Sequence, residues 1–144
     1  MRTGGCQCGE VRYESVGGPS ELYVCHCREC QKQSSSAFGI SFIVPRKGLR
    51  VTRGAPNFWT RPADSGGRVK CAFCPSCGSR LWHESEGGPE TMDIETVDIE
   101  TLSIKGGSLD DPPDLSAAFH IWTSRKLPGV AIPDGARQFP EEPE

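Results

Sequence analysis

Long apolar runs are missing from this 144-residue sequence, and so is a strong charge of either sign. No stretch approaches the roughly 20 consecutive apolar residues of a membrane-spanning helix, so no crossing of a bilayer is expected. The formal net charge is −3 and the pI about 5.6, which gives no general reason to bind nucleic acid. Leu, Ile, Val and Phe together number only 28. So low a share signals disorder when net charge is high, and here it is not. No apolar segment precedes Cys6, which predicts no secretory leader and a chain kept in the reducing cytoplasm. A serine in a nucleophile-elbow context, a phosphate loop and a dinucleotide fingerprint are absent too.

What is abundant points the other way. The chain has 17 glycines and 12 prolines, which argue against long helices, and 8 cysteines, which can staple a small core. The expected fold is therefore mainly β: a small zinc-stapled antiparallel β-sheet domain over residues 1–139, with at most one short helix. That helix should start near Arg28 and run through Gln31 towards Ala37. Strand signals are short. Glu10–Glu14 alternates with Val11 and Tyr13 on one face, Phe38–Val44 is stopped by Pro45, and Asn57–Thr60 reads as an edge strand. Met92–Ile104 alternates with two phase slips, so a bulge or hairpin is expected. In Ala118–Trp122, alternation puts His120 and Trp122 on one face, lining a pocket or packing in the core. Pro140–Glu144 should be a frayed acidic tail.

The cysteines fall into three groups: Cys6 and Cys8; Cys25, Cys27 and Cys30; and Cys71, Cys74 and Cys77. Close pairs suit a tetrahedral zinc ion, because a tight turn brings two thiolates to one metal at about 2.3 Å. Gly9 and Gly78 follow such pairs and permit the positive φ that a zinc knuckle adopts. Cys74–Cys77, with Pro75 and Gly78, fits a knuckle better than Cys71–Cys74. Joined to Cys6 and Cys8 it makes a closed structural site, which can contribute on the order of 10 kcal/mol to folding. Cys71 is then a spare thiol, buried or reactive. Trp82 and His83 would pack over that zinc.

Cys25, Cys27 and Cys30 have no fourth cysteine clearly allotted. Three protein ligands leave an open position, the arrangement of catalytic zinc, which could take water or the softer thiolate of a small thiol. The amino-terminal end of the helix near Arg28 would favour thiolates there. Completion by His26, His83, His120 or Cys71 would instead give a second structural site, and a disulfide is a third state. His26, flanked by presumed ligands, should point away from the metal, as an acid/base group or substrate contact, or else as an outer support or an exposed residue. Three thiolates leave zinc at net −1, so a nearby cation is needed, and Arg28 and Lys32 are the candidates by position in sequence. Arg46, Lys47, Arg50 and Arg53 read as a solvated loop rather than a nucleic-acid surface.

Gly5–Gly9, Cys25–Cys30 and Phe73–Ser79 resemble, in order and spacing, the glutathione-dependent formaldehyde-activating enzyme family, which includes centromere protein V. Gly107–Asp111 and His120–Trp122 look like its later strand motifs. The resemblance covers nearly the whole chain. It implies a fold shared with methionine sulfoxide reductase B and a Rab-binding chaperone. It implies a carbon–sulfur lyase joining formaldehyde and glutathione into S-hydroxymethylglutathione. By motif it gives Cys6, Cys8, Cys74 and Cys77 the structural zinc, and Cys25, Cys27 and Cys30 the catalytic one. Two departures stand out: Ser34–Ser36 replaces a glycine-bearing segment, putting side chains where backbone would meet substrate, and Cys71 is an addition. The alternative is a non-catalytic, zinc-stabilised binding module on the same scaffold.

Overall fold

The computed structural model describes residues 1–18, 20–62, 67–86 and 100–143. Ten strands and one α-helix form two sheets among these residues. β1 (Arg2–Gly5), β2 (Arg12–Ser15) and β5 (Leu49–Arg53) make a three-stranded antiparallel sheet in the order β1-β2-β5. The larger sheet has β3 (Glu21–Cys25), β4 (Gly39–Pro45), β6 (Asn57–Pro62), β7 (Arg68–Phe73), β8 (Arg80–Glu86), β9 (Thr101–Lys105) and β10 (Phe119–Ile121). Its order is β10-β3-β4-β9-β8-β7-β6, antiparallel throughout except for the parallel pair of β10 with β3. The protein is mainly β, and its one α-helix, α1 (Arg28–Ser34), starts where the sequence placed it.

The main core lies between the sheets. Val11, just before β2, and Tyr13 in β2 meet Val44, Ala72, Leu81, Trp82, Leu102 and Ile104 from the large sheet. Period-2 alternation fixes this: Ile104 stands opposite Trp82 in register, so both point to the same face. The Tyr13 ring packs edge-on to Trp82 at 5.9 Å, and its hydroxyl lies 2.6 Å from Ser108 Oγ. β6 is the edge strand expected from Asn57–Thr60. Of the slipping Met92–Ile104 pattern only the end is seen, as β9; residues 92–99 lie outside the described residues.

Three expectations are corrected. Arg46–Arg53 is no loop: Arg46–Gly48 is a 3₁₀ turn leading into β5, and Arg46 and Arg50 are ion-paired with Glu84 and Glu14 at 2.9 and 2.5 Å. Trp122 does not continue the β10 alternation, because its backbone turns left-handed at φ 56°. It leaves His120 and joins the cluster of Ile121 and Phe139. Nor does the carboxy terminus simply fray. The Pro140 and Glu141 carbonyls accept hydrogen bonds from the Ser124 and Trp122 N–H groups at 3.2 and 3.0 Å, and Trp122 Nε1 donates to Glu142.

Candidate metal centres

Cys6 and Cys8 sit in the turn after β1, and Cys74 and Cys77 in the turn between β7 and β8. Each turn closes on its glycine: the Gly9 N–H donates to the Cys6 carbonyl and the Gly78 N–H to the Cys74 carbonyl, both glycines at φ 80°. The four sulfurs lie within 4.8 Å of one another. Cys6–Cys8 and Cys8–Cys74 are 3.6 and 3.7 Å apart. A tetrahedron with 2.3 Å metal–sulfur bonds has edges of about 3.8 Å, so this donor set fits zinc. Backbone N–H groups of Val11 and Ser76 point at the sulfurs of Cys6 and Cys74, at 3.2 and 3.4 Å. The Ser79 hydroxyl beside Cys77 holds that thiol down at about 5. Trp82 packs in the cluster containing Cys6 and Cys74.

Cys25 ends β3, Cys27 caps α1, and Cys30 lies in its first turn. Their sulfurs also fall within 4.8 Å of one another. Hydrogen bonds from the thiols of Cys25 and Cys30, and then from backbone N–H groups, push Cys27 down to about 2. Cys25 is pushed up, first by Cys27 and Cys30 and then by burial. Crowding therefore lets one thiolate form readily and resists the next, a conflict that a bound cation removes. Two groups of cysteines could thus each hold a metal ion.

Among the described residues no His, Cys, Asp or Glu joins the second group as a fourth member. His26 turns away, as expected, but inward rather than to solvent: it is fully buried, with Nε2 2.9 Å from His120 Nδ1. Its carbonyl accepts from Gln31 Nε2 at 2.8 Å, and Gln31 also donates to the Arg125 carbonyl. Cys71 is buried in β7 and belongs to neither group. His83 is corrected: it lies on the face of the large sheet opposite Trp82, in register with Cys71 and Ser103. Burial first, then Lys105, Arg61 and Arg80, push its pKa down to about 3.

A cation that is buried beside the second group is Lys105. The Arg28 guanidinium is engaged by Gln31 Oε1. Lys105 is 8 % exposed, and its Nζ donates to Ser41 Oγ at 3.0 Å. A side chain begun at Gly39 would lie 3.4 Å from Cys30 Sγ and 3.5 Å from Lys105 Nζ, so the missing Cβ leaves amine and thiol facing each other. Sequence reasoning missed Lys105. Alternation with Leu102 and Ile104 aimed it off the core, but nothing local said that this face is covered. A cavity of about 590 Å³ opens beside it, lined in part by Ser34, Ser35, Gly39, Arg80 and Lys105, and reaching Cys77 of the first group.

A family model of glutathione-dependent formaldehyde-activating enzymes matches residues 1–125. The chain belongs to that family. Membership associates it broadly with glutathione-dependent formaldehyde activation and an enzyme-like role. A crystal structure of a Rhodobacter sphaeroides protein shares the fold, with a TM-score of 0.52 at 21 % identity, covering 95 % of this chain and 98 % of that one. Ser34, Ser35 and Ser36 line the cavity. Ser34 spends its hydroxyl on the helix end, donating to the Cys30 carbonyl at 2.7 Å.

Proposed function

We propose that this protein is a zinc-dependent carbon–sulfur lyase acting on a small thiol adduct, joining glutathione and formaldehyde into S-hydroxymethylglutathione. Cys6, Cys8, Cys74 and Cys77 hold a closed structural zinc. Cys25, Cys27 and Cys30 hold a second zinc with one position open. The observation carrying this reading is the three-thiol group without a fourth protein ligand among the described residues. Zinc bound there supplies a Lewis-acid position that keeps a thiol as thiolate at neutral pH.

The chain's own part is to hold and exclude. β3 and α1 fix the three cysteines at one point, and the Gln31 bonds to the His26 and Arg125 carbonyls anchor the loop between them. The neighbouring cavity of about 590 Å³ receives the peptide portion of the thiol. In the reaction the thiolate sulfur bonds to the aldehyde carbon, the carbonyl π pair moves to oxygen, and that oxygen takes up a proton. The reverse reaction returns thiol and aldehyde.

Titration calorimetry of Cys27→Ser tests the reading. Glutathione binding should fall at least ten-fold while thermal unfolding stays cooperative. Unchanged binding would refute the metal–thiolate assignment. A wild type that holds two zinc ions yet binds no thiol would favour the binding module.

A further inference from the structure

Three thiolates around a divalent zinc leave a net charge of −1, and a fourth, anionic sulfur would bring it to −2. Such a site favours neutral ligands unless positive charge lies close by. Lys105 is the buried cation at this spot. Its Nζ and the Cys30 sulfur lie 3.5 and 3.4 Å from the point where a Gly39 side chain would start. No carboxylate is paired with Lys105 among the described residues, and its Nζ donates to the Ser41 hydroxyl. A buried ammonium without a counter-charge is strongly disfavoured, so the thiolates of the cysteine group are its natural partner.

The amine is also held in place from behind. Ser41 is fully buried and stands opposite Lys105 in the β4–β9 register. Burial pulls Lys105 down overall, with Cys30 and Cys25 pulling against it. Gly39 leaves room for this arrangement. A Cβ there would meet Cys30 Cβ at 3.1 Å, closer than ordinary packing allows.

We infer that Lys105 is a positioning residue for the second cysteine group: its ammonium, anchored by Ser41, offsets the surplus thiolate charge so that the open metal position accepts an anionic sulfur. The inference rests on the function proposed above. It adds that the choice between an anionic and a neutral fourth ligand is made by Lys105 and not by the cysteines.

The test uses full-length protein loaded with cobalt(II), whose visible spectrum reports a change of fourth ligand. Wild type, Lys105→Met, Lys105→Arg and Ser41→Ala are each titrated with glutathione and with imidazole. At an effective dielectric near 20, a unit charge about 7 Å away changes affinity by a factor of roughly ten or more. Glutathione affinity should therefore fall about ten-fold or more in Lys105→Met. Imidazole affinity should hold, and Lys105→Arg should recover most of the loss. Equal binding of glutathione by Lys105→Met and wild type would overturn the inference, as would an equal loss of both ligands. If Lys105→Met does not load metal, Ser41→Ala decides. A drop for glutathione alone supports the inference, and no drop overturns it. If wild type takes neither ligand, the open position itself is wrong and the inference falls with it.

Discussion

His83 shows at the scale of one residue how a covered sheet face alters chemistry. It is held by burial first and then by Lys105, Arg61 and Arg80 at a pKa of about 3, below its ordinary 6.5. The unfolded chain therefore takes up a proton first as pH falls, and stability is lost from about pH 6.5 downward. The loss should be on the order of 1 kcal/mol per pH unit until the folded pKa is reached. His83→Gln should flatten this acid limb relative to wild type when urea midpoints of the metal-loaded protein are compared at pH 7 and pH 5. Parallel limbs would assign the effect elsewhere. Lys105 belongs to the same lesson. Its alternation with Leu102 and Ile104 was legible in the sequence, but its burial beside Cys30 was not, because burial depends on what distant strands bring over it.

β3 and α1 build the second cysteine group, and β10 pairs with β3 beside it. α1 has its amino-terminal end at Cys27, whose sulfur accepts from the Cys30 N–H at 3.4 Å, and it ends at Ser35 with φ 50° and ψ 43°. That left-handed conformation is disfavoured for serine and natural for glycine. Ser35→Gly should raise stability by about 0.5–1 kcal/mol after the added unfolded-state entropy of glycine, read as a higher Tm in calorimetry. A lower Tm would mean that the hydroxyl makes a contact worth more than the backbone strain. The start of α1 was readable because a run of helix formers begins at Arg28, while its cap by Cys27 came from the structure. β10 was readable as a strand, but the turn at Trp122 was not. Its left-handed backbone lets the ring meet Ile121 and Phe139, and those partners come from tertiary packing.

At the scale of the whole molecule, the described residues form two sheets held by a small core, with one cysteine group tying β1 to the β7–β8 turn and another at the far end of β3. With so few large apolar residues, the first group's metal should carry much of the folding free energy, on the order of 10 kcal/mol. The second group is completed within one short segment and closes no long loop. Stepwise chelation should thus remove one metal equivalent with far-ultraviolet circular dichroism unchanged, and the second only together with unfolding. Loss of the β signal with the first equivalent would reverse the two roles.

The sequence by itself determined the local chemistry. Thiols two or three residues apart meet through turn geometry alone, and a glycine after the pair supplies the positive φ, as at Gly9 and Gly78. Alternation likewise decided which of Leu102, Ser103, Ile104 and Lys105 share a face. Tertiary structure alone decided what each face meets. It paired the His26 and His120 rings, separated His83 from the first cysteine group, and docked the carboxy-terminal residues beside β10. It also placed a lysine, distant in sequence, against Cys30. The reason is range. Turn and pleat geometry act over a few bonds, whereas desolvation and charge depend on whatever the rest of the chain brings within a few ångströms.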